Sequence, residues 1–132
     1  ALPICLGGAQ RNQLFDPELN LKLGQKYIDI LLGDVRIKGD LFRLLTAWNG
    51  GPGNLNKWSR KVKHNDDPLL FIESIPSRET RIFVERVLTN YWIYRIRFNQ
   101  PLASMDAVAR GKWPHYTSER ELAVEVAEDG RN

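Results

Sequence analysis

Between Asp16 and Gly33 apolar residues return every three or four positions, at Leu19, Leu23, Tyr27, Ile30 and Leu31. That period belongs to one face of an amphipathic α-helix. Asp16-Pro17-Glu18 supplies an N-cap, a proline at the first helical position and an early acid, so the helix is expected to start there and to end near Gly33. Asp40 is placed to cap a second helix, in which Leu41, Leu44, Leu45 and Trp48 again mark one face. This helix must stop at Gly50-Gly51-Pro52-Gly53, where the glycines permit backbone angles that other residues resist and the whole reads as a tight, shaped turn.

A short helix carrying Leu55, Trp58 and Val62 is expected next, followed by an exposed loop over Lys63 to Asp66. Asp67-Pro68 starts another short helix with Leu69, Leu70, Phe71 and Ile72, which ends before Pro76. Ser77 then caps the longest one. In it Ile82, Phe83, Val84, Val87, Leu88, Tyr91, Trp92, Ile93, Tyr94 and Ile96 leave few sides polar, so the pattern predicts a central helix with most of its surface buried. Pro101 closes that element, and Ser104 to Gly111 suggests a small last helix before Trp113-Pro114. Strand-type alternation, internal repeats and low-complexity tracts are absent from the sequence, so the fold class is all-α. Residues 1–13 read as an irregular lead-in, 14–100 as the domain proper, and 101–132 as a C-terminal extension ending in a polar, acidic tail.

Composition narrows the function classes. The chain has 132 residues, the size of one ordinary domain, and its 42% hydrophobic and 27% charged content is that of a chain with a packed core. A net charge of +3 is too slight to dictate a polyanionic partner, and no basic run is interleaved with aromatics, so nucleic acid is not implied. Cys5 is the only cysteine, which excludes an intramolecular disulfide. No apolar run approaches the roughly 20 residues of a membrane span. His64 and His115 lack a ligand-spaced partner and read as surface residues, so no metal site is expected, and nothing calls for a cofactor. The four Trp, four Tyr and five Phe can supply aromatic faces for sugars, or simply fill the core.

Two stretches carry more than a helical pattern. Leu44-Leu45-Thr46-Ala47-Trp48-Asn49-Gly50-Gly51-Pro52-Gly53-Asn54-Leu55, with Trp58 after it, resembles the Ala-Tyr-Asn-Ala-Gly-Pro-Gly signature of soluble lytic murein transglycosylases. Phe71-Ile72-Glu73-Ser74-Ile75-Pro76 and Glu79-Thr80-Arg81-Ile82-Phe83-Val84 resemble the family's second late signature, and the 31-residue interval from Trp48 to Glu79 suits the family. Upstream, Leu14-Phe15-Asp16-Pro17-Glu18-Leu19-Asn20-Leu21-Lys22-Leu23-Gly24 is similar to the helix that follows the family's first two motifs. The resemblance implies a lysozyme-like helical domain of which this chain supplies the later helices.

It also implies a chemistry. In the family one glutamate protonates the glycosidic oxygen between N-acetylmuramic acid and N-acetylglucosamine, and its carboxylate then takes the proton of the muramyl 6-hydroxyl. A 1,6-anhydro sugar results. One carboxylate suffices because the substrate brings its own nucleophile. That glutamate belongs to a Glu-Ser pair, followed by Gly-Leu-Met-Gln, both expected before Leu14 and neither present here, so no catalytic residue is assigned within the chain. Glu73-Ser74 imitates the pair but sits in the Ile-Pro stretch and reads as ordinary structure, and Glu18 reads as a first-turn helix acid.

The resemblance marks Trp48, Asn49, Gly50, Gly51, Glu79 and Phe83 as candidate substrate-binding residues along one wall of a cleft. Each has a plainer role beside it. Asn49 either meets an acetamido group or fixes the turn. Gly50 and Gly51 either let backbone approach a glycan or serve turn geometry. Glu79 either reaches acetamido groups or is a first-turn acid paired with Arg78 or Arg81. Trp48 and Phe83 stand where the family commonly has tyrosines, which removes two hydroxyls from the cleft, and Ser77 replaces a residue that is often aromatic. The implied partner is peptidoglycan glycan strands and the implied location the periplasm or cell envelope. A non-catalytic peptidoglycan-binding or scaffolding module is the alternative, and a helical interaction domain of unrelated function a third.

Overall fold

A computed structural model of the chain describes residues 13, 15–118, 121 and 127. The lead-in of residues 1–12, Cys5 included, and most of the acidic tail lie outside the described residues. Six helices are described and no strand: α1 (Pro17–Leu32), α2 (Leu41–Gly50), α3 (Pro52–Lys61), α4 (Pro68–Glu73), α5 (Arg78–Arg97) and α6 (Ala103–Ala109).

Local chemistry sets the helix starts. Asp16, Asp40, Asp67 and Ser77 each turn a side-chain oxygen onto an amide that the helix leaves without a partner, with Asp40 bonding Arg43 N–H at 2.7 Å and Asp67 bonding both Leu69 and Leu70 N–H. Prolines at the first positions of α1, α3 and α4 add a preset φ where no amide is required. The α3 start has no side-chain cap; Gly51, at φ 87 and ψ 150, makes the corner instead.

The packing centres on α2. It contacts α1, α3 and α5, and it buries Leu41, Phe42, Leu44, Thr46 and Ala47. Around it Leu31, Ile37, Leu55, Trp58, Phe71, Ile72, Ile75, Val84 and Leu88 complete the core. Truncating one such aliphatic side chain to alanine removes on the order of 2–5 kcal/mol.

The long helix departs from expectation. Thr80, Val84, Leu88 and Arg95 are buried, whereas Ile93, Tyr94, Ile96 and Phe98 are 48–69% exposed. The reason is length: a 20-residue helix runs about 30 Å at 1.5 Å per residue, and the ten-residue α2 covers about half of it. Leu69, Leu70 and Ile30, also on expected apolar faces, are exposed as well.

The segment after α6 folds back over the start of α2. Leu41 N–H donates to the Pro114 carbonyl at 2.7 Å and Tyr116 N–H to the Gly39 carbonyl at 2.8 Å, with a bridge pairing Asp40 and His115. Trp113 donates to Asp66, lies under the Arg43 guanidinium at 4.3 Å, and meets His64 and Phe71 at 5.5 and 5.6 Å between ring centres. His64 is therefore not the surface residue its spacing suggests. Its ring packs edge-on between Phe71 and Trp113 and its Nδ1 is buried without a hydrogen-bond partner.

Under this strap Asp40 is 1% exposed, and its Oδ2 has no partner. Burial pushes its carboxyl up to about 6, against the lowering pull of the Arg43 amide and of the Arg43 and His115 charges. A folded-state value above the unfolded value of 3.8 means that the native state holds the proton more tightly. The Asp40 contribution to stability is therefore full below pH about 4, declines as pH rises through 4 to 6, and is lost above that. Asp40→Asn keeps the capping oxygen and removes the titration. In urea unfolding series the variant should gain on the wild type between pH 4 and 7 by up to about 3 kcal/mol; a difference that stays flat with pH would mean that Asp40 ionises freely in the fold.

Candidate functional site

Trp48 and Asn49 are neighbours near the end of α2, so their side chains leave the helix about 100° apart. They accordingly serve two different surfaces. Trp48 turns toward α1: its ring centre lies 5.2 Å from that of Tyr27 at 50°, and its Cη2 would sit 3.8 Å from a Cβ added at Gly24. With Pro17, Leu21 and Ile28 it lines an open, mainly apolar groove of about 520 Å³. The Trp48 indole N–H has no hydrogen-bond partner among the described residues.

Asn49 turns toward α5. Its Oδ1 accepts the Thr80 hydroxyl at 2.8 Å, across a sequence separation of 31 residues. Thr80 is 2% exposed, and its Oγ1 is also 3.0 Å from Ser77 Oγ, which in turn accepts the Thr80 amide. A hydroxyl carries one proton, so with that proton on Asn49 the Ser77 hydroxyl donates to Thr80. The relay orients the amide: Asn49 Oδ1 is occupied and its Nδ2 has no acceptor among the described residues.

Gly50 sits behind this relay. A Cβ there would stand 2.9 and 3.0 Å from the Trp58 ring and 3.5 Å from Thr80 Oγ1, so the missing side chain is what lets Trp58 of α3 and the start of α5 close on α2. Gly51 differs. Its φ of +87 requires a glycine, and nothing lies within 4 Å of where a Cβ would be, so its backbone is open to approach.

Glu79 lies beside Thr80 in the first turn of α5, exposed, with no ion-pair partner among the described residues. Neither Arg78 nor Arg81 pairs with it; Arg81 donates instead to the Ile75 carbonyl beyond the end of α4. Phe83, one turn farther along the same face as Glu79, is half-buried and packs on the flank of the core. The structure thus brings Asn49 and Gly50 against the Ser77–Thr80 start of α5 beside Glu79, leaves Gly51 open at the corner, and sets Trp48 on the adjoining α1 face.

Sequence reasoning passed over Thr80, whose only outward signal was a position three residues after a serine cap. It also missed that the buried carboxylate among the described residues is Asp40. That group lies at the other end of α2, about 14 Å along the helix from Asn49, so its raised value belongs to the strap and not to this site. Among the described residues no group of three or more His, Cys, Asp or Glu could hold a metal ion.

Residues 5–71 match the family model described as the transglycosylase SLT domain. The chain belongs to the transglycosylase SLT domain family. Among curated proteins the SLT domain is similar to the soluble lytic murein transglycosylase of Escherichia coli (strain K12), at 32% identity over 109 residues, which is 80% of this chain and 16% of that protein. It is also similar to the protein of the same name from Salmonella typhimurium (strain LT2), at 34% identity over 96 residues, 70% of this chain and 14% of that protein. The chain therefore spans about a sixth of the length of these relatives. No solved structure matches it significantly.

The packing at the α2–α3 corner of the SLT domain leads to a stability test. Gly50→Ala forces a methyl against the rigid Trp58 ring and should destabilise the domain by about 1–3 kcal/mol, while Gly53→Ala, with open space around it, should be near neutral. Thermal unfolding of the two variants decides it, and equal effects would mean that Trp58 can move aside.

Proposed function

We propose that this domain forms one wall of a peptidoglycan-cleaving site, with the acid supplied by a segment preceding Leu14. The observation that carries the reading is the Thr80–Asn49 hydrogen bond, which leaves the Asn49 Nδ2 as an oriented donor at a glycine corner. An amide donor held this way suits the acetamido carbonyl of an N-acetylated sugar, and the open Gly51 backbone and exposed Glu79 give that sugar two more polar neighbours. The apolar groove beside Trp48 is where a proton-donating glutamate would gain a raised pKa, and the indole N–H would donate to it where the family commonly places a phenol. The relatives' names, soluble lytic murein transglycosylase, support the substrate class.

In the complete site the glutamate protonates the bridging oxygen between N-acetylmuramic acid and N-acetylglucosamine as the C1–O bond breaks. It then accepts the 6-hydroxyl proton as O6 closes on C1, giving the 1,6-anhydro end without water. This chain contributes binding and orientation, with Trp48, Asn49, Gly50, Gly51, Glu79 and Phe83 as the substrate wall. Periplasm or cell envelope is the compartment such a substrate requires. No helix among the described residues is long and apolar enough to cross a membrane. A non-catalytic peptidoglycan-binding module would use the same wall, and a domain so used would bind murein whether or not an upstream glutamate exists.

The 132-residue chain should co-sediment with purified murein and release no 1,6-anhydromuropeptides, and the longer protein with its preceding Glu-bearing segment should release them. Asn49→Ala should weaken murein binding about 2- to 12-fold, the range of one hydrogen bond. Turnover by the 132-residue chain that disappears in Glu79→Gln would put the acid inside this stretch and overturn the assignment.

A further inference from the structure

Arg95, in the last turn of α5, is 8% exposed, and no carboxylate stands within ion-pair distance of it among the described residues. Its guanidinium is held by neutral groups. Nε donates to the Pro101 carbonyl, Nη1 donates to the Tyr91 hydroxyl at 3.0 Å, and Nη2 has no acceptor among the described residues. Asp40, the other buried ionisable group, feels Arg43 and His115 and not Arg95. A buried cation without a counter-charge is costly, and side chains such as arginine are almost never buried unless paired.

Several hydroxyl groups surround Arg95. A small pocket enclosing about 10 Å³ is lined by Arg95, Tyr91, Ser104, His115 and Thr117, with Pro101 closing one side. The Tyr91 oxygen already accepts from Arg95, and the Ser104 oxygen already accepts from Trp92 Nε1 at 3.0 Å, so each hydroxyl keeps its own proton to give. Among the described residues neither proton has an acceptor, and no acidic side chain lines the pocket. The volume admits about one oxygen atom.

We propose that this pocket, closed by the end of α5, the start of α6 and the returning strap, binds a carboxylate through a single oxygen seated on Arg95 Nη2, with the Tyr91, Ser104 and Thr117 hydroxyls as further donors. The pocket admits one oxygen while the carboxylate carbon and its substituent remain at the mouth, so the ligand is a small free carboxylate or the terminal carboxylate of a peptide. The site is independent of the glycan reading, because Arg95 lies about 22 Å along α5 from Thr80.

Thermal unfolding of the full 132-residue chain tests this with acetate, with N-acetyl-alanyl-alanine and with the C-terminal amide of that dipeptide, each against sodium chloride at matched ionic strength. The free acids should raise Tm saturably, by several degrees at about a hundredfold excess over Kd, and should shift the Arg95 Nε–Hε resonance. The amide and chloride should do neither. Dipeptide binding about tenfold tighter than acetate identifies a chain terminus as the source, and equal affinities identify a free small carboxylate. Arg95→Gln should lose the response. Thr117→Glu, which keeps Arg95 and brings a carboxylate to the mouth, should raise Tm by itself and abolish the response to added acid. A water-filled pocket would show no difference between acid and amide. That result, an equal effect of chloride, or an undiminished response in Thr117→Glu would overturn the proposal.

Discussion

The closeness of α2 to its neighbours at Gly50 is the constraint from which the rest of the molecule follows. A Trp58 ring edge 2.9 Å from where a Cβ would stand allows α3 to fold back at once from α2, and the same absence brings the Thr80 hydroxyl to the end of that helix. Asn49, one residue earlier, then has its carbonyl bonded and its amide left over. A packing requirement and a candidate recognition feature thus occupy consecutive residues, and any change that pushed the helices apart would also disorient the amide.

The other end of α2 is held differently. There a carboxylate caps the helix under a strap that contributes Pro114 and Tyr116 backbone bonds and a Trp113 ring cluster. The strap excludes water from Asp40, and the cost appears as a carboxyl that holds its proton to about 6. The two ends therefore separate two kinds of unusual polar group. Asp40 is perturbed because it is structural. Thr80, fully neutral and buried, bonds Asn49 at the candidate site. Judged by perturbed ionisation alone, the candidate position would have been put at the opposite end of the helix, under the strap.

Arg95 offers a third case, a buried charge held by neutral groups. Its bonds to Pro101 and Tyr91 close the turn between α5 and α6, yet they leave the guanidinium without a negative partner among the described residues. Together the three groups show how a small helical domain distributes polarity: one helix cap, one relay between helices, and one cation at a junction.

What the sequence by itself determined was local. Apolar period, Asp and Ser caps, N1 prolines and the glycine corner each act within a few residues, so helix number, order and approximate ends were legible, and the Trp48–Gly53 and Glu79–Phe83 stretches carried the family likeness. Only the tertiary structure decided which side chains meet. Thr80 reaching Asn49, Trp58 filling the space at Gly50, His64 lying between Phe71 and Trp113, and the exposed apolar end of α5 all depend on how helices cross and how far a short one covers a long one. Those are distances between residues far apart in the chain, and no residue's own pattern contains them.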